Sequence, residues 1–168
     1  MSGADDVRAD AEAARRSLDE AEERVHRASS EAEGLEESAA AHGWTGVAQA
    51  MSLAQEALTE AASPIADARQ AVAAGVSALA QVTDELSSDE VALRLGAVGE
   101  RFGAARGLVG RAAEALGAAR DAAVEAGAVA VVRLVDDADE SLRAGGEALD
   151  AAAARTTSER SEAAAWGN

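Results

Sequence analysis

Small and apolar residues recur along this chain in strict steps of four and three. From Val7 they run through Ala11, Ala14, Leu18, Ala21, Val25, Ala28, Ala32 and Leu35 to Ala39. Such alternation keeps one stripe of a helix turned toward a partner helix, which is the seam of a coiled coil. Most residues between are charged, and Glu12–Arg16, Glu20–Arg24 and Glu23–Arg27 have the i,i+4 order that favours ion pairs on an outer face. The pattern predicts a first helix over residues 4–41.

After His42-Gly43-Trp44-Thr45-Gly46 the pattern restarts in a new register. It reads Val47, Met51, Ala54, Leu58, Ala61, Ile65, Ala68, Val72, Gly75, Leu79, Val82 and Leu86. Pro64 lies inside this run and cannot donate to the preceding turn, so a kink is expected there. Ser87-Ser88-Asp89-Glu90 has the form of a capping box opening a third helix. Its seam is Val91, Leu95, Val98, Phe102, Ala105, Val109, Ala112, Leu116, Ala119 and Ala123.

At Ala126-Gly127 the phase slips by one residue. Gly127 reads either as a tight turn or as a stutter in one very long helix, and the turn is preferred because it yields four near-equal helices. The fourth seam is Ala128, Val131, Val135, Ala138, Leu142, Gly145, Leu149 and Ala152. The expected fold is all-α, an antiparallel four-helix coiled-coil-like bundle of long alanine-rich helices. Residues 1–86 form a hairpin with a Trp-x-Gly turn, and residues 87–155 form a second hairpin packed on it. Residues 156–168 form an acidic tail or a short extra helix begun by Thr156-Thr157-Ser158-Glu159.

Composition makes this core thin. The chain is 48% hydrophobic, but much of that is alanine, and Trp44, Phe102 and Trp166 are its only aromatic residues. Burying a large apolar side chain contributes about 1.5–3 kcal/mol and alanine much less. Close helix packing must compensate, or a partner must. Charge narrows the partners: 31 acidic residues against 15 arginines give a net charge of −16, which repels nucleic-acid backbones and anionic membranes. Cysteine is absent, so no disulfide framework forms. The acidic start Met1-Ser2-Gly3-Ala4-Asp5-Asp6 is not a secretory signal, and no run approaches a membrane span. A cytoplasmic location and export without a cleaved signal peptide both fit.

Candidate chemistry is sparse. His26 and His42 have no metal-ligand spacing, and neither follows a glutamate by three residues as a di-iron bundle requires. With no Cys, Tyr or Lys and no Gly-x-Ser-x-Gly, the chain reads as a non-enzyme without cofactor or small-molecule substrate. Two features remain. Along the third helix Gly96, Gly99, Gly103, Gly110 and Gly117 each follow a seam position, with Gly107 beside them. Each interior glycine costs about 1 kcal/mol against alanine, so the stripe suggests close packing or a partner face.

The other feature is Gly43-Trp44-Thr45-Gly46. Its glycines give the backbone freedom a helix reversal needs, and Trp44 is expected to fold its indole over the hairpin's open end. Trp44 and Gly46 in a turn between two long acidic helices resemble the WxG family of type VII secretion substrates. The likeness spans residues 4–86. The turn is also similar to a Gly-Trp-x-Gly-Val-Ala turn in alanine-rich helical proteins of actinobacteria. The resemblance implies pairing of hairpin with hairpin and export without a signal peptide. The family's export signal, a Tyr or His followed four residues later by an acid, has no counterpart, since His26 precedes Ser30 and His42 precedes Gly46 at that spacing. The expectation is thus a helical interaction or delivery module that binds a protein partner or itself. An intracellular coiled-coil scaffold or phasin-like granule coat is the alternative, although a coat needs a broad exposed apolar face.

Overall fold

The computed structural model describes residues 2–167. It contains α1 (Ser2–Ala41), α2 (Thr45–Ala80), α3 (Ser88–Glu125) and α4 (Val129–Trp166). At 36 to 40 residues each, the helices are roughly 55–60 Å long. They form the expected antiparallel bundle. α1 packs on α2 and α4, and α3 packs on α2 and α4, so the four make a closed ring.

The seams are the core. Each of the positions listed above is buried except Leu35, Val47, Val82, Leu86 and Val91, which are half-buried. Alanines such as Ala21, Ala54, Ala105 and Ala138 are fully enclosed, while Phe102, Leu18, Met51, Leu58 and Ile65 supply bulk. Two buried hydroxyls are satisfied: Thr156 Oγ1 donates to Ala152 O at 2.7 Å within α4, and Ser141 Oγ accepts from Arg24 of α1.

Ion pairs at the helix edges fix the register. Arg69 sits 2.6 Å from both Asp19 and Glu22, joining α2 to α1. Arg106–Asp150 and Arg120–Asp136 join α3 to α4, and Arg155 joins α4 to Asp6 and Asp10 of α1. Exposed pairs of this kind contribute about 0–1 kcal/mol each, so their main effect is alignment. Of the i,i+4 pairs expected on α1, Glu23–Arg27 forms at 2.6 Å. Arg24 reaches across to α4 instead, donating to Ser141 Oγ and to Asp137 O.

Several boundaries differ from the sequence reading. α2 stops at Ala80, so Val82 and Leu86 lie in the connection to α3, which has to cross the end of the bundle. Two expectations hold: α2 remains helical through Pro64, without a loop, and Gly127 is a turn, with φ +69°. Residues 156–166 are neither a tail nor a separate helix but the continuation of α4. Thr156 is buried at the next seam position, which carries the helix past the point where apolar heptads fade.

The two hairpins repeat one another at a constant offset of 84 residues, from Val7 to Val91 and from Gly43 to Gly127. Buried positions correspond in pairs along both helices, among them Leu18 and Phe102, Ala28 and Ala112, Leu58 and Leu142, and Ala68 and Ala152. Even the off-seam Ala57 and Ser141, both buried, correspond. The hairpins are not level, however. A Cβ on Gly145 would lie 3.2 Å from Leu18, yet Phe102, the counterpart of Leu18, packs on Gly75 and not on Ala61, the counterpart of Gly145. That is a two-heptad difference between opposite interfaces. A slide of one hairpin past the other by about one heptad, roughly 10 Å, produces it.

Candidate interaction surface at the hairpin tip

Both tight turns lie at the same end of the bundle and share one backbone. In the first, Gly43 takes φ +73°, Gly43 N–H donates to Ala40 O at 3.2 Å and Trp44 N–H donates to Ala39 O at 2.8 Å. In the second, Gly127 takes φ +69°, Gly127 N–H donates to Val124 O at 3.0 Å and Ala128 N–H to Ala123 O at 2.9 Å. These are Schellman closures, in which a left-handed glycine lets the last carbonyls of one helix find donors. The next residue begins the following helix with the same dihedrals: φ −83°, ψ 74° at Trp44 and φ −81°, ψ 74° at Ala128.

This pairing corrects the expected role of Trp44. The indole does not fold over the hairpin end; it is 56% exposed and stacks on the His42 ring at 4.8 Å, with 24° between planes. His42 is held in turn by Nδ1 against Ser38 O at 2.8 Å. Ala39, whose carbonyl accepts the Trp44 N–H, is buried without help from the indole. Since Ala128 makes the same turn, a tryptophan is not needed to form it. Gly46 is likewise not needed: it is helical, its missing Cβ would meet nothing, and its counterpart is Ala130. Thr45 contributes only a long contact from Oγ1 to Gly43 O at 3.5 Å. Of the four turn residues, Gly43 carries the geometry.

The slide between hairpins makes this tip stand proud. Leu35 and Val47 near the first turn are half-buried, whereas their counterparts Ala119 and Val131 are enclosed. The reverse holds at the far end, where Val7 is enclosed and its counterpart Val91 is half-exposed. Leu53, Val124 and Val129 are also more than half exposed and lie at the end that carries Trp44. Leu35 and Val47 are thus left half-covered near the turn that carries the stacked His42–Trp44 pair.

The glycine stripe is a different matter. A Cβ on Gly96 would come within 3.3 Å of Arg160, and one on Gly99 within 3.7 Å of Thr156. Gly103, Gly107, Gly110 and Gly117 face open space. Tighter approaches sit elsewhere, among them Gly75 under the Phe102 ring, Gly145 against Leu18 and Gly146 under Arg106. Sequence reading took Gly75 and Gly145 as ordinary seam positions. The missing signal was the identity of the residue opposite, which a single chain's periodicity does not give.

Among the described residues, no three potential metal ligands come together, and no helix is long and apolar enough to cross a membrane. Comparison with protein-family models, curated proteins and solved structures finds no match for this chain.

Proposed function

We propose that the protein is a non-enzymatic helical interaction module that engages a protein partner through the protruding tip around Trp44. The observation that carries this reading is the pair of turns. The fold builds the same reversal twice, once with Trp44 and once with Ala128, so the exposed indole serves something other than folding. Tryptophan is among the residues concentrated at the energetic centres of interfaces.

The finer reading is a WxG-like delivery module of a type VII secretion system, supported by Trp44 and Gly46 at the turn of a long acidic hairpin. On this reading the second hairpin supplies within one chain the hairpin partner that the resemblance implies. A coiled-coil scaffold is the second reading, favoured by the closed ring of seams, which among the described residues leaves no long apolar face uncovered.

Trp44→Ala tests the proposal. The variant should keep the wild-type melting curve within about 0.5 kcal/mol, as surface changes away from structural features do. It should also lose export into the medium, or capture of a cross-linked partner, in the native host. Unchanged export and cross-linking would overturn the tip as the binding surface. Retention of wild-type protein inside the cell, with cross-linking still dependent on Trp44, would favour the scaffold.

A further inference from the structure

The opposite end of the bundle is built differently. There α2 stops at Ala80, and the chain from Gln81 to Ser87 crosses to α3, so the corner α2 would have filled is left open. An open basin of about 750 Å³ results, bounded by the start of α1, the α2–α3 connection, the start of α3 and the end of α4. Its apolar wall includes Val82, Leu86, Val91 and Leu95, and Trp166 stands on its rim with 84% of its surface exposed.

The charges around this apolar wall are one-sided. Asp5, Asp84, Glu159 and Glu162 line the basin, and among the described residues Arg8 is the one cation in its lining. A hydrocarbon wall ringed by carboxylates disfavours an anionic amphiphile, because carboxylate or phosphate heads would face like charge. It suits a side chain with an apolar body next to one with a cationic head, and an exposed indole adds a face on which such a cation rests. The net charge of −16 draws the same class of partner from a distance.

We infer that this basin is a docking site for a cationic amphipathic peptide segment of a protein partner, with Trp166 packing on its apolar residues and Glu159 and Glu162 pairing with its Lys or Arg side chains. The site is separate from the tip at Trp44 and does not depend on it.

The test uses full-length protein carrying Trp44→Phe, which leaves Trp166 as the sole tryptophan. Its emission is followed while a leucine–lysine amphipathic peptide is added, and then the leucine–glutamate peptide of the same pattern. The basin predicts a saturable blue shift with the lysine peptide and none with the glutamate peptide. Glu159→Gln with Glu162→Gln should weaken binding about tenfold, the sum expected for two rim charges, whereas Glu36→Gln with Glu37→Gln should not. In wild-type protein, hydrogen exchange should slow at residues 82–91 and 159–166 when the lysine peptide is present. A shift with both peptides, equal weakening by the two glutamine pairs, or protection elsewhere on the bundle would each overturn the proposal.

Discussion

At the residue scale, the informative positions are glycines opposite large side chains. A Cβ on Gly75 would lie 2.6 Å from Cε1 of the fully buried Phe102 ring, closer than real Cβ contacts come. Alanine there gains about 1 kcal/mol of helix propensity, but overpacking a closed core costs about 1–3 kcal/mol, and the ring has no solvent side to retreat to. Gly75→Ala should therefore lower stability by about 1 kcal/mol in urea unfolding, and adding Phe102→Leu should recover most of it. Gly103, Gly110 and Gly117 give the opposite expectation. With open space at each, single alanine substitutions should raise stability by about 0.5–1 kcal/mol by the same measurement. Periodicity marks both sets of glycines but does not separate them, because the difference lies in the residue across the interface.

At the element scale, the turns and caps are where local chemistry decides. Gly43→Ala and Gly127→Ala both place a Cβ in the left-handed region, at φ +73° and +69°. Each should cost about 1–2 kcal/mol, and the two costs should agree within experimental error, since the turns share their hydrogen bonds. The α3 capping box is formed as the sequence predicts. Glu90 N–H donates to Ser87 Oγ at 3.3 Å, and Glu90 Oε2 accepts from Ser87 N–H at 3.1 Å. Ser87→Ala should cost about 1 kcal/mol through the lost cap. The Ser87 backbone N–H, and then its hydroxyl, hold the Glu90 carboxyl below the ordinary glutamate range. A depressed folded-state pKa means that this stabilisation is present above the unfolded value and fades as pH falls through the folded one. Carboxyl chemical shifts should show Glu90 titrating low in the wild type and part of the way back toward the ordinary value in Ser87→Ala.

At the scale of the whole molecule, the thin core is closed within one chain. Alanine seams let four helices meet in a ring, and every seam finds its counterpart inside the molecule. The expected consequence is a fold complete within one chain. Light scattering should give the 16.9 kDa monomer mass, with a melting midpoint unchanged over a hundredfold range of protein concentration. A midpoint that climbs with concentration would show that association completes the fold.

The sequence by itself determined the helices, their seams, the α3 cap and the reversal at Gly43, because these follow from 3.6-residue periodicity and from backbone chemistry within a few residues. It also contained the 84-residue repeat, visible once Gly127 is known to be a turn equivalent to Gly43. Only the tertiary structure decided what depends on neighbours across the bundle: which glycines meet a large side chain, how far one hairpin slides along the other, and where α4 ends. The Trp44 indole belongs with these. Whether an aromatic side chain caps a hairpin or stands in solvent depends on what the neighbouring helices present to it, and that is not encoded in the periodicity of its own helix.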